Sequence, residues 1–313
     1  MAVVGAHLSR WKLAAVGVAL LLLPQVLSPY NTLIATSILI LSLFSVSFNL
    51  LLGYSGLACF GHAGYYALGA YTAALLQTKL GVPMPLAFLA APVVATGGAF
   101  VFGYFCVRRT HAYFIMLTLA FSQILYAIAF KWYDLTGGDN GVRGVYPPEE
   151  LMTPVGSYYF TLIVAVVCIA TVYRIAHSPF GAILQAIREN PQRAEALGIA
   201  VRRHQWAAFT IAGFFAGVAG ALAAYYQRSV QPDYAFLVKS SEPLIATMLG
   251  GANYFFGPVV GSIIYVLLQR LVTRVTDHWL LVIGVLVAAI ILWFPAGLLG
   301  INLRRIIARV TNR

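Results

Sequence analysis

The chain has 313 residues, 61% apolar and only 9% charged, with a formal net charge of +11. Soluble domains carry about 25% charged residues, and a monomer this apolar would expose more contiguous greasy surface than water tolerates, so a soluble protein is excluded. Nucleic acid, the usual partner of a basic soluble domain, is excluded with it, because the positive residues punctuate apolar stretches instead of forming a patch.

In chain order, the charge-free stretches are 13–78, 80–107, 110–130, 151–173, 204–227, 243–269 and 279–303. A membrane-spanning helix needs about 20 apolar residues, so most of the chain lies in a bilayer. Alternating segments of about 10 residues, the mark of an outer-membrane barrel, are missing. Arg10 and Lys12 ahead of 13–23 resemble a signal peptide, but an A-x-A-like cleavage site is lacking and a second apolar run follows at once, which predicts an uncleaved first span. The stretch 13–78 holds three spans divided by turn residues at 28–31 and 53–56. Further spans are expected at about 84–107, 111–130, 156–175, 206–227 and 279–299. The expected fold is an all-α polytopic transmembrane bundle of about eight spans plus a broken or re-entrant segment.

Charge sets the sides. With the N-terminus in the cytoplasm, Arg108, Arg109 and the loop after Arg174 fall inside. A single crossing by 243–269 would place Arg304, Arg305, Arg309 and Arg313 outside, against the positive-inside rule. Entry and exit on the outer side, as two half-helices, returns the tail to the cytoplasm and is preferred.

Two segments are unlike simple spans: 53–69 (GYSGLACFGHAGYYALG) and 249–261 (LGGANYFFGPVVG). Their glycines permit either tight helix packing or a broken helix whose backbone lines a cavity. Interruptions in corresponding halves also raise an inverted repeat with a midplane site. Polar groups at apparent mid-span or break positions are Asn49, His62, Tyr65, Thr118, Gln123 and Asn253, the candidate translocation pathway. His62 is either a packing residue or a pathway residue. No Asp, Glu, Lys or Arg is expected deep in a span; Glu242, in Ser241-Glu242-Pro243, reads as an acid at a helix start, stabilised by the helix dipole. Without buried charges the chain is poorly equipped for proton coupling, so energy must enter from outside the spans, and the cargo is neutral or zwitterionic. No GxSxG, HExxH or GxxxxGK[ST] pattern occurs, so no catalytic residue, metal set or bound cofactor is expected, and Cys59, Cys106 and Cys168 read as small buried hydrophobes.

The segment 178–199 (SPFGAILQAIRENPQRAEALGI) predicts two short helices. Ser178-Pro179 is a cap followed by proline at the first helical position. Phe180, Ile183, Leu184 and Ile187 make one apolar stripe. Asn190-Pro191 repeats the start, and Ala194, Glu195, Ala196 and Leu197 run to Gly198, a natural stop. Such a knob, flanked by Arg174, Arg188, Arg193, Arg202 and Arg203, suits either docking in a partner's groove or lying on anionic lipid.

This loop resembles the EAA-type coupling motif of ABC importer permeases, with Glu195-Ala196 and Gly198 as its core and Leu197 replacing the motif's second alanine. GHAGYYALGAY at 61–71, AYFIMLTLAFSQ at 112–123, TGGDNGVRG at 136–144 and the LGG…GPxxG pattern at 249–261 resemble the branched-chain amino-acid permease family, LivM type. The resemblance implies a single permease domain over 1–313, multi-pass in a bacterial inner membrane, with a coupling loop at 176–205 and a periplasmic loop at 131–156. It implies a sister permease of LivH type, two ATPase subunits that carry ATP and Mg, and a periplasmic substrate-binding protein. Coupling would then fall on Phe180, Ile183, Arg188, Glu189, Pro191, Ala194, Glu195, Ala196 and Gly198. The glycine-rich loop around Gly137, Asp139, Asn140 and Arg143 is expected over the outer mouth, beneath the binding protein. Importers of urea, short-chain amides or aromatic acids look similar, and a stand-alone facilitator is the rival from a different class.

Overall fold

The computed structural model describes residues 10–108, 111–274, 278–293 and 297–300. Arg109 and the tail arginines Arg304, Arg305, Arg309 and Arg313, which set the expected side of the C-terminus, lie outside the described residues.

Helices dominate. They are α1 (Arg10–Val26), α2 (Pro29–Asn49), α3 (His62–Thr78), α4 (Met84–Cys106), α5 (His111–Lys131), α6 (Tyr133–Thr136), α7 (Glu149–Met152), α8 (Pro154–Ala176), α9 (Pro179–Glu189), α10 (Pro191–Ala196), α11 (Val201–Gln227), α12 (Leu237–Gly250), α13 (Gly257–Thr273) and α14 (Trp279–Trp293). Proline at the first position and a capping hydroxyl start two of the spans: Ser28 Oγ accepts from Asn31 N at 3.4 Å, and Thr153 Oγ1 from Gly156 N at 3.0 Å. Five helices, Pro29–Ser55, Met84–Cys106, Ala112–Lys131, Pro154–Ala176 and Val201–Gln227, are long and apolar enough to cross a membrane. The expected eight is therefore met only in part: of the other expected spans, α1 and α3 have 17 residues each and α14 has 15.

The first glycine-rich segment breaks at the last of the expected turn residues 53–56. The helix passes straight through Gly53 as a π-helical turn, Leu50–Ser55, and stops at Gly56, whose φ of +72° glycine adopts at no steric cost. Beyond it the glycines serve packing. Gly69 lies against Gly217 and Gly220 against the Tyr66 carbonyl, which brings α3 and α11 backbone to backbone. The α11 helix is the buried axis of the bundle, holding α3, α4 and α2 around it. Trp206 Nε1 on α11 donates to the Phe100 carbonyl of α4 at 2.8 Å, and Tyr226 OH to the Leu33 carbonyl of α2 at 3.0 Å.

The second glycine-rich segment is the bend of an antiparallel hairpin, α12 and α13, with Gly250 packed on Gly257 and Gly261 on the Ala246 carbonyl. Its two ends emerge at one face. The strand β2 (Ser229–Val230), which precedes α12, pairs antiparallel with β1 (Val142–Arg143) of the 131–156 loop. Arg270, near the end of α13, donates to Tyr30 OH at the start of α2 at 2.9 Å. The bend itself reaches the opposite face, where 178–199 lies. The helical hairpin spans 237–273, wider than the expected 243–269. Both breaks sit at the knob end of the bundle and not at its middle.

Candidate functional site

The knob forms as two helices. Asn190 Oδ1 caps α10 by accepting from Arg193 N at 2.9 Å, and Gly198 ends the turn at φ +84°. Ser178 departs from its expected role: its hydroxyl donates back to the Ile175 carbonyl at 2.7 Å and does not cap α9. The apolar stripe lies largely against the chain itself, with Phe180 and Ile183 half-buried. Leu184 is fully buried in the main core, and Ile187 packs with Ala194 and Val201 in a small core closed by Ile183 and Ile199. Phe180 faces the His204 ring at 6.1 Å. A short amphipathic helix buries its stripe on the nearest apolar surface, and here that is its own chain. The outward surface is α10 and its flanks: Glu189, Pro191, Glu195, Ala196, Gly198 and Leu197, which is 76% exposed.

Arg188 ties this knob to both breaks. One guanidinium nitrogen donates to the Gly53 carbonyl in the π-helical turn, and the other to Asn253 Oδ1 at the hairpin bend, at 2.9 Å. The Arg188 stem also fills the space beside Gly56. Tyr173, on the last turn of α8 before the knob, packs edge-on to Phe255 of the bend at 5.0 Å. Arg188 and Asn253, read from the sequence as belonging to different tasks, are one contact.

The remaining pathway candidates do not converge. His62 is fully buried, stacked on Phe44 at 5.2 Å and edge-on to Phe48 and Tyr65. Ser47 gives its hydroxyl hydrogen to the Phe44 carbonyl at 2.7 Å, so it accepts from His62 Nε2 at 2.9 Å. The ring is packed among aromatic side chains and bonded through Nε2, while Nδ1 has no partner among the described residues. Tyr65 sits edge-on to Phe209 at 5.4 Å, and Thr118 donates to its own helix at Ile115. Asn49 is buried beside Gly53, whereas Gln123 is half-buried on α5.

A half-buried ion pair lies elsewhere, in the first two turns of α12. Residues 231–236 tuck between α3 and α5: Ser122 Oγ donates to the Ala235 carbonyl at 2.7 Å, and Ala63 N to Ser240 Oγ at 3.1 Å. This carries the first turns of α12 into the bundle. The helix begins at Leu237, ahead of the expected start at 241–243, with Pro243 inside it. Glu242 is consequently in the second turn. It pairs not with the dipole but with Lys239, 2.6 Å away, the side chains 19% and 21% exposed. Lys239 Nζ lies 5.2 Å from the Tyr66 ring centroid and 6.0 Å from that of Tyr234. The pair lines a cleft of about 330 Å³ bounded by α2, α3, α11, α12 and α13, with Tyr265, Gln269 and Arg270 among its walls. Hydropathy reading missed it because the two charges flank the apolar run on the side that reads as a loop. The signal available was their i, i+3 spacing directly before that run.

The 131–156 loop follows the tight path its glycines allow, with positive φ at Gly137, Gly138, Gly141 and Gly144. Asp139, Asn140 and Arg143 are exposed. Lys79 Nζ anchors the loop through the Asp134 carbonyl at 3.2 Å. The loop contributes no lining residue to the cleft.

Comparison with known proteins identifies the family. The family described as branched-chain amino acid transport system / permease component matches residues 31–292. The high-affinity branched-chain amino acid transport system permease protein LivM of Escherichia coli (strain K12) is 28% identical over 315 residues, covering 90% of this chain and 74% of the relative. LivM of Salmonella typhimurium is 27% identical, covering 88% and 71%. A probable LivH permease of Methanocaldococcus jannaschii is 24% identical, covering 79% and 84%. No solved structure matches. With the match spanning the bundle from α2 to α14, the knob and both glycine-rich breaks included, the chain belongs to the permease-component family of branched-chain amino acid transport systems.

Proposed function

We propose that this chain is one of two membrane subunits of an ATP-driven importer that carries branched-chain amino acids into the cytoplasm, in the bacterial inner membrane and with the knob on the cytoplasmic side. A sister permease, two ATPase subunits holding ATP and Mg, and a periplasmic binding protein complete it. The observation that carries this reading is the Arg188 bridge. A force applied to α10 by a closing ATPase passes through one rigid side chain to the two places where the helices are already interrupted. Such a pore is opened by leverage and needs no proton relay in its spans.

The test is reconstitution of the chain with its genomic partners. ATP-driven leucine uptake is expected with the full set and none with the chain alone; uptake against a gradient by the chain alone overturns the reading. Glu195→Arg reverses a charge on the exposed coupling surface and should lower uptake at least about tenfold, a loss of ~1.4 kcal/mol in the ATPase contact, with membrane insertion unchanged. Gly198→Trp meets open space but forces a side chain to φ +84°, costing about 1–2 kcal/mol at the knob's last turn, and should uncouple likewise. On the other face, Asp139→Arg with Arg143→Asp should weaken stimulation by the binding protein severalfold while leaving basal ATPase activity unchanged.

A further inference from the structure

We propose that the cleft walled by Lys239 and Glu242 is a subsite for the charged ends of a zwitterionic α-amino acid in transit, the carboxylate on Lys239 and the ammonium on Glu242. This rests on the permease reading and names what the passage is built to recognise.

Opposite charges held side by side inside an apolar bundle are costly and a weak source of stability, because desolvation offsets most of their attraction. Their retention inside a cleft of about 330 Å³, within the range of small-molecule sites, marks a binding task. The pair sits at i, i+3 and presents both signs within 2.6 Å. An α-amino acid carries its own two charges on a single carbon, so it matches both members at once. An anion or a cation alone engages one member, and an uncharged amide matches the charge of neither. Glu242 offers two oxygens and Lys239 three donors, so their mutual bond leaves capacity on each for a ligand. The Tyr66 ring, also in the cleft wall, steadies the ammonium of Lys239. Across the cleft, Ile40, Leu41, Phe44 and Val266 form an apolar wall that takes an aliphatic side chain.

The probe is L-leucine at millimolar concentration, without binding protein, on the complex with its sister permease and ATPases in nanodiscs. Its comparators are leucinamide (no carboxylate), 4-methylpentanoate (no ammonium) and urea. The reporter is Gln269→Cys at the cleft, in a Cys168→Ser background, labelled with a water-soluble maleimide. Leucine should slow labelling at least about threefold and the three comparators should not. Adding Lys239→Gln or Glu242→Gln should remove the protection. Saturable binding of labelled leucine to the chain with its native Gln269 and both charges intact gives the same readout without relying on any variant's folding. Equal protection by 4-methylpentanoate or urea overturns the zwitterion assignment. Absence of both protection and saturable binding, in a complex that still imports leucine on ATP, overturns the subsite and leaves the permease reading standing. Failure of ATP-driven import itself would instead strike the permease reading.

Discussion

Arg188→Ala should reduce ATP-driven leucine uptake at least about tenfold in complexes that still assemble and still hydrolyse ATP. The substitution removes two charge-assisted hydrogen bonds, to the Gly53 carbonyl and to Asn253 Oδ1, each worth about 0.5–1.5 kcal/mol on an exposed side chain. The knob keeps its own small core of Ile187, Ala194 and Val201, so it should remain folded and continue to seat on the ATPase. What is lost is the rigid link from knob to bundle. Asn253→Ala cuts one of the two bonds and should give an intermediate loss. Uptake at the native rate in Arg188→Ala, with unchanged ATPase coupling, would show that the lever runs through another contact. Arg188→Lys should rescue poorly, since one ammonium cannot span the two acceptors as a planar fork does.

The second large effect is on folding. Gly220→Val should prevent accumulation of folded chain in the membrane, because a Cβ at 220 would overlap the Tyr66 carbonyl, which belongs to backbone and cannot rotate away. Overpacking of this kind costs typically 1–3 kcal/mol, and separating α11 from α3 adds the loss of the neighbouring Gly69–Gly217 contact. Gly97→Ala on α4 is the control: its Cβ would meet nothing within 4 Å, and alanine in a helix gains up to ~1 kcal/mol over glycine. Fluorescence-detected size exclusion of tagged variants reads both. A monodisperse Gly220→Val at native yield would mean that α11 and α3 are not held backbone to backbone.

Helix character and its rough limits were legible in the residues, since long apolar runs between charges leave a chain in lipid no other way to satisfy its backbone. The knob was legible too, because caps and stops are local chemistry: Asn190, Pro191 and Gly198 act within four residues of themselves. Its buried face was not. Phe180 and Ile183 look the same on paper whether they meet a partner or their own chain, and only the position of α11 beside α9 settles which. The surroundings of His62 had the same character: Ser47 and Phe44, which bond to it and stack on it, come from another helix.

By itself the sequence determined a membrane-embedded helical bundle, the positions of two glycine-rich interruptions and a capped two-helix elbow, because hydropathy, helix caps and glycine's freedom at positive φ operate over a few residues at a time. Tertiary structure alone decided that both interruptions meet at Arg188 and that Lys239 and Glu242 lie inside the bundle. The contacts responsible, Ala63 with Ser240 and Arg188 with Gly53 and Asn253, join residues far apart in the chain. No pattern along the chain encodes such a distance; it is set by which backbone surfaces are smooth enough to approach, as α11 and α3 do at Gly69, Gly217 and Gly220.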